Sequence, residues 1–447
     1  MRDLKELTGY DIITEEKIPE VNGTGYILSH KKTKARVLVI ANDDENKVFN
    51  IGFRTPPYDD SGIPHILEHS VLCGSRKYPV KDPFVELAKG SLNTFLNAMT
   101  YSDKTVYPIA SCNEKDFENL MDVYLDAVFY PNIYEHTEIM RQEGWHYELE
   151  TVEGELIYNG VVFNEMKGAF SSPEQQMYSK IEKLLLADTP YKNESGGDPA
   201  AIPTLSQERF LDFHRKYYHP SNSYIYLYGD LDMYKELDYI DKEYLSSFDY
   251  REIDSTIAVQ TAYEQMKDES CFYSIAENES EENQTFLTYN MVVGSSLDKK
   301  QSVAMNILEY AIMDAPGAPL KKALVDAGIG EDVFASFDDG IRQTIFSIVA
   351  RNANMSDKER FVSVIRDTLT DLSGHGEEGK AIDRTSIEAA INNFEFKHKE
   401  ANFGRFPKGL MMGLDAFNTW LYDDASALEM FKLNEVYDEL KESLKTG

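Results

Sequence analysis

At 447 residues the chain exceeds what one ordinary hydrophobic core supports, so at least two domains are expected. A hydrophobic content of 42% with 12% aromatics excludes a disordered chain. Its 77 acidic against 45 basic residues, a net charge of −32, argue against a nucleic-acid partner, while an acidic cavity would attract basic peptides. Alternating apolar residues over 35–41 and 48–54 predict the first strands of a sheet. A helix carrying His65-Ile66-Leu67-Glu68-His69 follows, with N-cap oxygens available from Asp59, Asp60 and Ser61 and with Pro64 in its first turn. Residues 82–89 predict a second helix, and 92–100 and 105–110 two strands joined by the polar turn Ser102-Asp103-Lys104. Helical spacing recurs over 113–129, 135–148, 161–170 and 206–218, and a strand at 224–228 closes this unit.

Residues 248–270 are polar and without period, and the boundary is placed there. Beyond it come a strand (284–293), a helix (300–313), a short helix after Pro319, strands at 332–337 and 343–351, then helices at 357–372 and 384–399. The order repeats that of the first half. The predicted fold class is therefore α+β, two homologous domains in which mixed or antiparallel sheets pack with helices. They divide as 1–250, 251–432 and a terminal helix in 433–447. Where the first copy has His65-x-x-Glu68-His69, the second has Asn306-Ile307-Leu308-Glu309-Tyr310, which cannot hold a metal in that way.

His65 and His69, four residues apart, share a helix face with Cβ atoms about 6 Å apart, so both imidazoles can reach one Zn²⁺. His-x-x-Glu-His is the inverted form of the zinc-protease helix motif. Glu68, on the same side but not required as a ligand, suits a general base acting on water. A third protein ligand is needed, and spacing alone leaves Glu86, His136, Glu143, His146, Glu148, Glu165 and Asp198 open. Cys73, Cys112 and Cys271 form no CxxC pair, so a reducing compartment is expected rather than a disulfide framework. Cys73 reads as a packing residue. The first residues carry no signal core and no run approaches the ~20 apolar residues of a membrane span; a cytoplasmic chain without membrane contact is expected.

The segment from Gly62 to Ser75, with Leu96-Asn97-Ala98-Met99-Thr100, Gln142-Glu143-Gly144-Trp145, the run Gly160 to Gly168, Ser195-Gly196-Gly197-Asp198-Pro199 and Tyr218-His219-Pro220-Ser221-Asn222, resembles the pitrilysin/insulinase superfamily of inverted-motif zinc peptidases. Within it the closest resemblance is to the presequence-protease and falcilysin branch. The resemblance implies that Glu165, in Asn164-Glu165-Met166-Lys167-Gly168, is the distal zinc ligand beside His65 and His69, with Glu68 as base. It also implies that Asn97 and Ala98 lie on an edge strand to which a peptide substrate adds. Substrates would be short unstructured peptides. Enzymes of the branch resemble two double-domain halves joined by a helical hairpin, of which 433–447 would be the start, so the expected partner is a C-terminal half, in the same longer chain or a separate one. The rival expectation is a non-catalytic scaffold or partner subunit, which would be expected to have lost the motif.

Overall fold

The computed structural model describes residues 2–80, 83–376 and 381–446. In chain order the strands are β1 (Tyr10–Ile18), β2 (Gly23–His30), β3 (Arg36–Ala41), β4 (Lys47–Arg54), β5 (Asn93–Leu96), β6 (Met99–Thr100), β7 (Lys104–Ser111), β8 (His146–Glu148), β9 (Ile157–Asn159), β10 (Ser223–Gly229), β11 (Thr285–Ser295), β12 (Asp332–Asp338) and β13 (Gln343–Ala353). The helices are α1 (Ile63–Val71), α2 (Pro83–Gly90), α3 (Glu114–Phe129), α4 (Thr137–Glu143), α5 (Val161–Ala169), α6 (Pro173–Leu185), α7 (Gln207–Tyr217), α8 (Met233–Glu243), α9 (Lys299–Glu309), α10 (Pro319–Asp326), α11 (Lys358–Leu372), α12 (Arg384–Glu400), α13 (Lys408–Trp420) and α14 (Leu433–Thr446). Asp82, where the second helix was expected to begin, lies outside the described residues. The helix expected over 135–148 stops at Glu143, and its last residues instead form β8, paired with β9.

Two compact units emerge: Met1–Val259 with Phe403–Phe431, and Gln260–Asn402 with Lys432–Gly447. This differs from the contiguous division at 250/251 and 432/433, because the chain returns to the first unit before leaving it again. The reason is apolar area. In the first unit an eight-stranded sheet runs β1-β2-β3-β10-β4-β7-β5, with β6 also on β7; β10 is parallel to β3 and antiparallel to β4. Successive residues of a strand face opposite sides. Thus Val37 and Val39 join the core beneath α1, α3 and α7, while Leu38 and Ile40 face the other side with Tyr224, Tyr226 and Tyr228. That second face would lie open without the returning segment, whose Leu410, Phe417, Trp420 and Phe431 cover it. Close approach is built in, since a Cβ at Gly409 or Gly413 would meet the rings of Tyr228 and Tyr226 at 2.1 and 2.3 Å.

In the second unit β11, β13 and β12 form an antiparallel sheet in that order. The first unit uses the same arrangement for β4, β7 and β5, so the repeated order of elements corresponds to a repeated strand topology. Leu287, Phe346, Ile348, Phe361 and Ile365 lie in its core. Helix α14 is held in this unit by ion pairs from Lys441 to Glu395 and from Lys300 to Glu439 (3.0 Å). Among the described residues no helix is long and apolar enough to cross a membrane.

Candidate metal and catalytic site

Helix α1 starts at a backbone position few residues tolerate. Gly62 has φ +70°, and a Cβ there would come within 2.8 Å of the Gly196 carbonyl oxygen. Asp59, Asp60 and Ser61 do not cap the helix. Asp60 instead accepts the Glu194 N–H at 2.7 Å, pairs with Lys183 at 2.9 Å, and through its carbonyl accepts the Asp198 N–H at 2.8 Å. The Asp59 carboxylate accepts from the Ser61 N–H at 2.9 Å and its hydroxyl at 2.5 Å. The net effect is to fasten the 194–198 loop against the start of α1. From that loop the Gly196 carbonyl oxygen lies 3.1 Å from His65 Nδ1. With Nδ1–H donating there, the His65 Nε2 lone pair faces outward.

Glu165 meets both histidines from α5. Its Oε2 is 3.6 Å from His65 Nε2 and 3.7 Å from His69 Nε2, and the imidazole centroids are 5.0 Å apart. Donors bound to a single Zn²⁺ at ~2.0–2.1 Å in tetrahedral geometry lie about 3.3 Å from one another. The two Glu165–histidine separations are within a few tenths of an ångström of that value, and the two-nitrogen, one-carboxylate set is of a kind zinc accepts. Both histidines and Glu165 form one of the groups of potential metal donors among the described residues. Glu165 is half-exposed, so one side of the group opens to solvent.

Two further residues complete the geometry. Glu143, buried at the end of α4, places Oε2 3.4 Å from His69 Nδ1 and accepts from the Gln142 amide at 3.0 Å. It thus contacts the nitrogen facing away from Glu165, where an outer carboxylate orients a ligating imidazole. Burial disfavours a charged His69, but the Glu143 hydrogen bond and the charges of Glu68, Glu143 and Glu165 outweigh it and hold the imidazole above its ordinary value. Thr100 on β6 donates its hydroxyl to Glu68 Oε2 at 2.6 Å. Burial lifts the Glu68 carboxyl above its ordinary value, against the pull of Thr100 and of both histidines. A carboxylate so held is a stronger proton acceptor than an exposed one.

The other candidate ligands are engaged elsewhere: His136 with Glu138, His146 with the Arg141 carbonyl, Glu148 with the Asn159 amide, and Asp198 with the Ala200 N–H. Glu86 stands on α2. Cys73 donates its thiol to the His69 carbonyl at 3.5 Å and is not among the metal donors. The strand expected over 92–100 is divided. Asn97 and Ala98 fall between β5 and β6, because the Asn97 N–H donates to Pro108 and its carbonyl accepts the Tyr124 hydroxyl. Asn97 is exposed and Ala98 buried. β5 and β6 pair only with β7 among the described strands, so this stretch does lie at the edge of the sheet. Glu143, Thr100 and Gly196 all sit in segments that carried the resemblance, yet spacing gave no sign of what they touch.

Comparison with known proteins identifies the family. Residues 48–179 match the family model "Insulinase (Peptidase family M16)", and 204–394 match "Peptidase M16 inactive domain". "Protein HypA" of Clostridium perfringens is 53% identical over 93% of this chain and 42% of its own. Presequence protease 1 of Arabidopsis thaliana is 42% identical over 98% of this chain and 40% of its own. The chain thus spans about two fifths of the length of these relatives. The fold is shared with a protease from Helicobacter pylori at TM-score 0.64 and 16% identity, over 94% of this chain and 96% of that one.

Proposed function

We propose, from the premise that this chain belongs to the insulinase (M16) peptidase family and to its presequence-protease-like branch, that it is the zinc-binding part of a metalloendopeptidase acting on short unstructured peptides. The observation that carries this reading is the convergence of His65, His69 and Glu165 donors within 4.8 Å, with the buried Glu68 alongside. His65, His69 and Glu165 would hold the ion. Bound Zn²⁺ lowers the pKa of water to near 7 and polarises a carbonyl.

The residues of this chain do the rest. The Gly196 carbonyl and Glu143 each hold one imidazole by the nitrogen turned away from Glu165, which fixes ring orientation. Glu68 takes the proton of the attacking water, and Thr100 fixes the carboxylate rotamer in which it does so. The proton then passes from Glu68 to the leaving amine. A peptide added at the edge beside Asn97 and Ala98 would lie along the strand that carries Thr100, next to the base. Because the relatives are more than twice as long, a second half is the proposed partner that closes over substrate.

The test is zinc content by atomic absorption together with cleavage of a panel of unfolded peptides, with a second-half chain supplied. Stoichiometric zinc and cleavage abolished by Glu68→Gln are expected. Zinc-free protein, or cleavage unchanged by Glu68→Gln, would overturn the reading.

A further inference from the structure

Helices α3 and α8 bring three carboxylates together. Glu114 and Glu118 stand one turn apart at the start of α3, and Glu236 lies in the first turn of α8. One oxygen of each lies within 4.8 Å of the other two. The helix dipole favours acidic residues in first turns, which accounts for Glu114 and Glu236 as residue types. It does not account for burial. Glu236 is 1% exposed, and its Oε1 is buried without a hydrogen-bond partner among the described residues. Buried carboxylate oxygens are normally satisfied, because stripping water from them is costly. Burial, reinforced by the charge of Glu118, pushes the Glu236 carboxyl up to about 7.

The positive groups nearby serve the other two carboxylates. Lys235 Nζ is 3.2 Å from Glu114 Oε1 and also pairs with Glu118, and Lys115 Nζ is 3.2 Å from Glu118 Oε2. The Lys235 side chain is 52% exposed, so it can turn into solvent without breaking a core.

We propose that Glu114, Glu118 and Glu236 form a site for a hard divalent cation, with Ca²⁺ the best fit, and that Lys235 is the competitor occupying two of its oxygens when the cation is absent. An all-oxygen set of three carboxylates suits Ca²⁺ or Mg²⁺, not zinc. Ca²⁺ tolerates irregular geometry and fills its remaining positions with water. A cation there would offset the charge of the buried Glu236 carboxylate. The site is independent of the histidine group and of the peptidase reading.

Calorimetric titration of the chain with CaCl₂ tests this, with MgCl₂ as the second probe. One saturable site with Kd of about 10⁻⁴–10⁻³ M is expected, the weak end of protein calcium sites. Glu236→Gln, close in shape, should weaken binding about tenfold or more, since it leaves an amide where a charged ligand stood. Lys235→Ala should tighten binding by removing the competing ammonium. If Glu236→Gln fails to fold, as judged by circular dichroism, Glu118→Gln takes its place with the same expected loss. The proposal is overturned by absence of saturable binding in both the wild type and Lys235→Ala, or by unchanged Ca²⁺ affinity in the carboxylate variant.

Discussion

The Thr100 hydroxyl donates to the Glu68 carboxylate across 2.6 Å, joining the edge of the sheet to the helix that carries both histidines. A side chain on the strand beside which a substrate would lie therefore sets the rotamer of the group proposed to take the proton. Thr100→Val should lower kcat by about 10–100-fold with zinc retained, the worth of a hydrogen bond to a charged group, ~1.5–3 kcal/mol. Thr100→Ser should restore most of it. A Thr100→Val enzyme with unchanged kcat would remove the hydroxyl from the mechanism.

Base and ligands should separate cleanly. Glu68→Gln is expected to keep stoichiometric zinc and lose about 10²–10⁴-fold in rate, the range of general-base catalysis. His65→Ala, His69→Ala and Glu165→Ala should lose the metal. Zinc bound by Glu165→Ala with unaltered affinity would show that another group is the third ligand.

The edge stretch can be probed through its backbone. Ala98→Pro fixes φ and deletes an N–H beside the proposed peptide position. Peptide cleavage should fall through a raised KM, with zinc content and fold unchanged. A folded Ala98→Pro protein with wild-type KM would rule out strand addition at this point.

Acid stability should carry the signature of His214. Its Nδ1 meets the Tyr134 hydroxyl at 2.7 Å and its Nε2 the Val128 carbonyl at 3.0 Å, and burial pulls its value down to about 4 from 6.5. The unfolded chain takes up a proton near 6.5 and the folded one only near 4. The His214 contribution is thus full above pH 6.5, is lost progressively as pH falls towards 4, and changes no further below that. The loss amounts to about 3 kcal/mol across the window, at ~1.36 kcal/mol per unit. Urea unfolding at pH 7.5 and at pH 5 should show most of that drop in the wild type and much less of it in His214→Gln. Equal pH dependence in both proteins would exclude His214 as its source.

The chain alone should fold and bind zinc yet cleave peptides poorly. Positioning contributes up to ~7–11 kcal/mol of a barrier, and in the proposed function a second half shares in closing the chamber. Adding a separately produced second half should raise kcat/KM. Equal kcat/KM with and without it, for a chain shown to be monomeric, would mean that one half suffices.

Local pattern made much of this architecture legible. The i, i+4 histidines need only helix geometry to share a face, and strands such as 343–351 announce themselves by a run of apolar and β-branched residues. The fold's long-range bargains were not legible. β1 carries so many charges, as in Thr14-Glu15-Glu16-Lys17, that it does not read as an apolar strand, and β2 opens on Gly23-Thr24-Gly25, which weakens its strand signal. Helix α13 is required by an uncovered sheet face that no local window contains. The choice of Glu165 over Glu143 rests on which imidazole nitrogen each carboxylate meets, a matter of tertiary placement that spacing cannot encode. The family resemblance supplied Glu165; nothing in the sequence supplied the Gly196 carbonyl.

The position of β10 has a consequence for biosynthesis. This strand lies between β3 and β4, although Ser223 follows Arg54 only after most of the first unit has been made. At ~5–20 residues per second, β3 and β4 leave the ribosome on the order of ten seconds before the strand that must pair with both. Throughout that interval two apolar strands present unsatisfied backbone edges, the kind of surface that neighbouring nascent chains pair with. Yield in a cell should therefore depend on chaperones that shield unpaired strands, and slowing translation between Arg54 and Ser223 should lower it.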